Sequence, residues 1–148
     1  MRVRFISKAV TLAVCLGAIV FAGISAQTGP VPVVVANPSA PDYTLTRDAL
    51  RAIFAMRYTV WSDGSPIEVH VLPDDRELHR SFCKMVLSIY PHNLRRVWDR
   101  LVFSGTGQAP LVVESQAEMR AAIARTPGAI GYLYSDQVDE TVTVLEVK

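Results

Sequence analysis

Cysteine is almost missing from this 148-residue chain, which has only Cys15 and Cys83. Cys15 lies inside an apolar N-terminal run, so the rest of the chain keeps one thiol and cannot close an internal disulfide; apolar packing has to hold it together unaided. Histidine is equally sparse. His70, His79 and His92 share no metal-ligand spacing, and ordinary surface or boundary positions account for them: His70 falls on the polar phase of a strand pattern and His79 flanks a helical stripe. Neither G-x-S-x-G nor H-E-x-x-H occurs and Cys83 has no activating base beside it in sequence, so no enzyme class, metal or cofactor is indicated. Charge of one sign is lacking too: 15 Lys plus Arg face 14 Asp plus Glu, a formal +1. Without a basic cluster, no nucleic-acid partner is expected. Internal repeats and low-complexity segments are also absent.

What is present begins with the basic MRVRFISK, followed by an apolar run from Ala9 to Ala26 that ends at Gln27-Thr28-Gly29-Pro30. This order is that of a secretory signal peptide, expected over residues 1–26, with the small Ser25 and Ala26 at its end. Left uncleaved, the run is just long enough to anchor the chain in a membrane. Val14, before Cys15, is not the small residue that a lipoprotein site needs. Cleavage removes Arg2, Arg4 and Lys8 and leaves 12 basic against 14 acidic residues, a formal −2. Residues 27–148 are then expected as one α/β domain in the periplasm.

Val33-Val34-Val35 reads as a first strand that ends at Asn37-Pro38. Thr46 opens a helix with Leu50, Ile53 and Phe54 on one face. An extended Tyr58–Trp61, the turn Ser62-Asp63-Gly64 and an alternating strand from Ile67 to Leu72 follow. Pro73-Asp74 begins the longest helix, with Leu78, Phe82, Met85, Val86 and Ile89 on its apolar stripe and a capping box between Asp74 and Glu77. The next helix repeats the pattern with Leu94, Val97, Trp98, Leu101 and Val102, and Ser104 to Gln108 is a loop. After an extended Val112-Val113, Ser115 caps a helix by accepting from the Glu118 amide, while the Glu118 carboxylate reaches back to the Ser115 amide. Pro127-Gly128 stops that helix. Ala129 to Leu133 is a buried-strand run, and the β-branched Val138 to Val147 reads as a last strand. Trp61 and Trp98 sit among aliphatics and read as core. Alternating strands and helices imply an α/β fold, a mixed sheet flanked by helices.

Six pieces in series, VVVANPS, LRAIF, the W-S-D-G turn, SFCKMVL, VWDRLVFSG and TPGAIGYL, resemble the phosphate-type periplasmic solute-binding proteins, the substrate-binding subunits of phosphate ABC transporters. The resemblance implies a single lobe of a type 2 periplasmic binding protein-like fold. It also implies phosphate or another small oxyanion as ligand, and ABC transporter membrane subunits or another envelope protein as partner. Full-length relatives hold phosphate between two lobes, partly with a Ser-Gly-Thr sequence at a helix start, where amides and dipole favour the anion. With the family's aromatic residue laid on Phe82, those three positions carry Arg76, Glu77 and Leu78, and Asp74, Asp75 and Glu77 load the same turn with carboxylates.

Two substitutes for the missing motif are present. Arg76 and Arg80, four residues apart on the helix face turned from the core, are one candidate oxyanion clamp. The literal Ser104-Gly105-Thr106 is the other, a glycine-rich turn that would bind through Ser104 and Thr106. One lobe cannot close on a ligand by hinge motion, so a homodimer or a partner has to supply the opposite wall. The contrasting reading is a non-catalytic periplasmic interaction module that kept the scaffold and lost the ligand site.

Overall fold

The computed structural model describes residues 29–148, and the leader expected over 1–26 lies outside the described residues. Valine-rich Pro32–Ala36 forms β1, and the apolar Ala129–Tyr134 forms β5; they pair antiparallel with Val34 opposite Tyr132. β3 (Glu68–Val71) runs parallel to β5, and β4 (Leu111–Val112) parallel to β3. β6 (Thr143–Val144) lies antiparallel to β1 at the other edge, so the mixed sheet has the order β4-β3-β5-β1-β6. A separate parallel pair joins β2 (Thr44–Leu45) to β7 (Glu146–Val147). The C-terminal stretch is therefore not one strand: β6 and β7 belong to different sheets, and an Asp139–Thr141 turn precedes them, closed on the Asp139 carboxylate. Tyr58–Trp61 likewise keeps only a single bridge, Val60 to Pro66.

Local capping sets the helices. α1 (Arg47–Phe54) starts where Thr46 Oγ1 accepts from the Ala49 amide at 3.1 Å, and it buries Leu50, Ile53 and Phe54. α4 (Gln116–Arg125) starts where Ser115 Oγ accepts from the Glu118 amide at 3.1 Å. The Glu118 carboxylate takes the amide of Glu114 rather than that of Ser115, so the reciprocal half of the capping box closes one residue upstream. α4 covers one face of the sheet, with Met119 and Ile123 seated on Gly131 of β5. α2 (Glu77–Phe82) and α1 cover the other, bringing Phe82 and Phe54 against Tyr132. α3 (Pro91–Ser104) packs beside them through Leu94 and Trp98.

The long helix expected from Pro73 to Ile89 is broken. α2 has only 6 residues, and Cys83–Leu87 widens into a π turn that ends at Ser88 with φ 53°. The wider turn shifts the apolar stripe, so Met85 is 56% exposed whereas Leu87 is fully buried. No Asp74–Glu77 box forms, because the cap position is Arg76, without a side-chain bond. Val102, expected inside, is exposed at the end of α3.

The remaining core is tied by buried polar atoms with partners. Trp61 Nε1 donates to the Gly128 carbonyl at 3.0 Å and Trp98 Nε1 to the Phe54 carbonyl at 2.8 Å, so both indoles are buried and satisfied. Asn37 Nδ2 donates to the Ile123 and Ala124 carbonyls at 2.8 and 3.0 Å, binding the end of β1 to the end of α4. Among the described residues, no helix is long and apolar enough to cross a membrane.

Two left-handed glycines give a clean contrast. A Cβ at Gly105 (φ +68°) would meet open space, whereas one at Gly128 (φ +76°) would meet the Pro66 carbonyl oxygen. Gly105→Ala is expected to cost about 1 kcal/mol, the left-handed strain alone. Gly128→Ala is expected to cost about 3 kcal/mol, because the chain leading into β3 must move as well. Urea denaturation measures both, and equal losses would mean that the Pro66 contact relaxes freely.

Candidate functional site

In open α/β sheets, ligands gather beyond the carboxyl ends of parallel strands. Here the end of β3 leads through Leu72 and Pro73 to Asp74, and the end of β4 leads to Glu114 and the cap of α4. The Leu72 amide donates to the Tyr132 hydroxyl at 2.8 Å, and that hydroxyl bonds His79 Nδ1. Burial holds the Tyr132 phenol well above its ordinary pKa, so the hydroxyl keeps its proton and donates it to Nδ1. Burial also lowers the pKa of His79, outweighing the pull of Asp74. The imidazole is therefore neutral with its proton on Nε2, which faces Asp74 Oδ1 and Cys83 Sγ, each at 3.5 Å.

Arg95 of α3 grips the Asp74 carboxylate with two parallel bonds, Nε to Oδ2 and Nη2 to Oδ1, both 2.9 Å. These bonds hold Asp74 below its ordinary range, and the guanidinium lies 4.9 Å over the Trp98 ring. Thiol, imidazole and carboxylate together are the residue types of a cysteine nucleophile. Cys83 is nevertheless fully buried, and burial followed by the Asp74 charge pushes its thiol up to about 12. A protonated, inaccessible thiol does not attack a substrate. The group is a closed polar chain that aligns β3, α2 and α3.

Little in the local sequence announces this polar chain. His79 is one helical turn before Cys83 and wholly buried, not at a boundary. His70 is buried as well, because both faces of the sheet are covered; its Nε2 lies 2.9 Å from Glu68 Oε1, and among the described residues Nδ1 has no partner. His92 is exposed and stacks on Tyr90. The one local signal for the chain was the i, i+4 spacing of His79 and Cys83. Asp74 and Arg95 stand 21 residues apart, which no spacing rule detects.

The expected ligand residues lie in two places. Arg76 and Arg80 are exposed on α2: Arg76 Nη2 is 3.7 Å from Glu114 Oε2, and Arg80 Nη1 donates to the Asp75 carbonyl at 2.8 Å. Ser104 and Thr106 sit at the far end of α3, roughly 13 Å along the helix from Arg95. Their hydroxyls are 2.7 Å apart, and Ser104 Oγ also donates to the Arg100 carbonyl. The Gly105 and Thr106 amides point back to the Val102 and Leu101 carbonyls at 3.1 Å, which closes a helix C-terminus rather than an anion nest.

Asp74 and His79 both hold protons less readily in the fold than in the unfolded chain, so falling pH favours unfolding. Stability is expected to be full above pH 6.5 and to fall below it as His79 is forced to charge in the core. A second loss is expected below pH 3.8, as Asp74 protonates against Arg95. Denaturant midpoints in the three intervals check this, and a flat profile across pH 6.5 would rule out the neutral buried imidazole. Native Cys83 should resist a disulfide reagent that labels it at once after unfolding.

No protein-family model and no curated protein matches the chain. Solved structures match its fold. An ABC-type phosphate transport receptor from Vibrio cholerae has a TM-score of 0.61 at 19% identity, over 80% of this chain and 46% of its own. A Clostridium perfringens protein, described as a phosphate ABC transporter substrate-binding protein and solved with bound phosphate, gives 0.66 at 17%, over 80% and 45%. PstS from Borrelia burgdorferi gives 0.62 at 16%, over 80% and 47%. This chain spans a little under half the length of each. It has the mixed α/β fold of a single lobe of a phosphate-type ABC transporter substrate-binding protein.

Proposed function

We propose that the chain is exported by residues 1–26 and works in the periplasm as a solute-binding lobe for phosphate or another small oxyanion, in an ABC-type uptake system. The likeness of its fold to the Clostridium perfringens protein with bound phosphate carries this reading. The anion would lie at the carboxyl edge of β3 and β4, with Arg76 and Arg80 as cationic partners. Arg76 is freed at little cost, since its pair with Glu114 leaves the two side chains 51% and 71% exposed and such pairs contribute about 0 to 1 kcal/mol. Arg80 uses one nitrogen on the Asp75 carbonyl and keeps the rest of its donor fork. Ser104 and Thr106 are left out of this site because their polar groups are turned onto each other and onto α3. α2 is too short, and its start too acidic, for its amides to hold the anion, so side chains must.

A single wall leaves one side of the anion in water. A second copy of the chain, or a transporter subunit, would supply the other. One observation favours the contrasting reading, a non-catalytic interaction module: Asp75, Glu77, Glu114 and Glu118 crowd the same edge as Arg76 and Arg80.

Calorimetry separates the two. On the protein recovered from cells expressing the full-length chain, phosphate should give a saturable heat with Kd about 1 mM or tighter. Arg76→Ala with Arg80→Ala should weaken it about tenfold, a loss of roughly 1.4 kcal/mol. A flat titration sinks the oxyanion reading, and a reproducible envelope partner captured by crosslinking in cells would then support the module.

A further inference from the structure

Apart from the carboxyl edge, a cavity of about 350 Å³ opens between α1, the π turn and α3. That size lies within the range of small-molecule sites. Its floor is apolar, made by Ala52 of α1 and Ala55 just past its end, Leu87 of the π turn and Ile89 after it, and Leu94 and Val97 of α3. Leu87 and Leu94 belong to the core, so the floor is fixed by the packing beneath it. The walls are fastened too: Trp98 Nε1 donates to the Phe54 carbonyl at 2.8 Å, joining α3 to α1, and Arg51 Nε donates to the Leu87 carbonyl, joining α1 to the π turn. A cavity built this way needs little ordering to receive a ligand.

Three charged residues line it: Asp48, Arg51 and Arg57. Arg51 is engaged, with Nη1 on Asp48 at 2.9 Å as well as Nε on Leu87. Arg57 is different. It is exposed and has no ion pair or side-chain hydrogen bond among the described residues. It follows Met56, whose left-handed φ of 59° ends α1. The carbonyls at that helix end do not compete for its guanidinium, because each has another donor. Arg51 accepts from the Ala55 amide, Ala52 from the Arg57 and Tyr58 amides, Ile53 from the Met56 amide, and Phe54 from Trp98. The cavity therefore combines an apolar bed with one uncompensated positive charge.

We infer that this cavity binds a small amphipathic carboxylate, with the apolar body on Ala52, Ile89 and Val97 above the buried Leu87 and Leu94, and the carboxylate on the Arg57 fork. The site is independent of the oxyanion edge at Arg76 and Arg80. A guanidinium paired with a carboxylate adds a charge-assisted bond that a neutral analogue cannot make, so head-group charge is the discriminating variable.

Phenylpropionate is the probe, titrated into the protein recovered from cells expressing the full-length chain while the amide NMR shifts of Ala52, Ala55, Leu87 and Val97 are followed. Those amides should move to saturation. Phenylpropanol, with the same body and no charge, should bind about tenfold more weakly or worse, and so should phenylpropionate to Arg57→Ala. Arg57 is exposed, so this variant keeps the fold; Val97→Phe, which fills the cavity, should abolish the response. Inorganic phosphate should leave the four amides in place, whatever it does at Arg76. The inference is overturned if phenylpropionate does not move these amides, if phosphate moves them as far, or if phenylpropanol or Arg57→Ala matches the parent titration. Equal binding of the alcohol would mark a plain apolar seat for a protein segment.

Discussion

A phenol hydroxyl shut away from solvent is the constraint from which the rest of the structure follows. Tyr132 is wholly buried at the centre of the fold, on β5 between β1 and β3. An unpaired hydroxyl there would cost about 1 to 3 kcal/mol. Its two partners, the Leu72 amide and His79 Nδ1, fix the end of β3 and the rotation of α2 together. The ring stacks on Phe82 at 4.0 Å and 12° between planes, which holds α2 against the sheet. Each satisfied group then makes a demand of the next. A neutral His79 presents Nε2–H to Asp74, and the Asp74 charge in turn requires Arg95, so α3 is drawn in by an ion rather than by apolar contact alone.

The π turn answers the same demand. Leu78, His79, Phe82 and Cys83 all face inward, and a regular helix would next bring Met85 and Val86 round to that side. Widening the turn carries Leu87 to the core and sends Met85 to solvent. Leu87 is then placed so that its carbonyl accepts from Arg51, which joins the π turn to α1. One departure from regular helix thus also shapes the cavity between α1, the π turn and α3.

What could be read in the chain, and what could not, divides along the distance between partners. The Thr46 and Ser115 caps, the Pro127-Gly128 stop and the strands around Val34 and Ile130 were legible because every group involved lies within a few residues. The start of α2 was not. Asp74 has a local use, capping with Glu77, and a distant one, pairing with Arg95; the half-buried bidentate bond wins, and nothing near Asp74 in sequence announces it. His70 was misjudged for a related reason, since alternation signals a wet face only where no helix lies over it, and α4 is encoded some fifty residues away. At the candidate site, the outward direction of Arg76 and Arg80 followed from helical period alone. The Glu114 opposite Arg76 belongs to another strand end, and the inward-turned amides of Ser104-Gly105-Thr106 depend on where α3 stops.

The groups that hold this lobe together are almost entirely internal, and this separates folding from binding. Tyr132, His79, Asn37 and both tryptophans are satisfied within the described residues, and none of them is exposed at the carboxyl edge. Arg76, Glu77 and Leu78 at the start of α2 likewise leave the scaffold undisturbed, as Leu78 packs inside and the two charges stay in water. The same separation limits what the edge can do by itself. A guanidinium and an oxyanion with solvent on one side interact in a high dielectric, where two unit charges 4 Å apart gain about 1 kcal/mol; the gain rises to about 4 kcal/mol at an effective dielectric near 20. Excluding water from the open side is thus worth more than adding another cation to the exposed one. Under the proposed function, affinity for an anion at this edge would be governed chiefly by what covers it, and the acidic residues beside Arg76 and Arg80 make a basic covering surface the electrostatically favoured one.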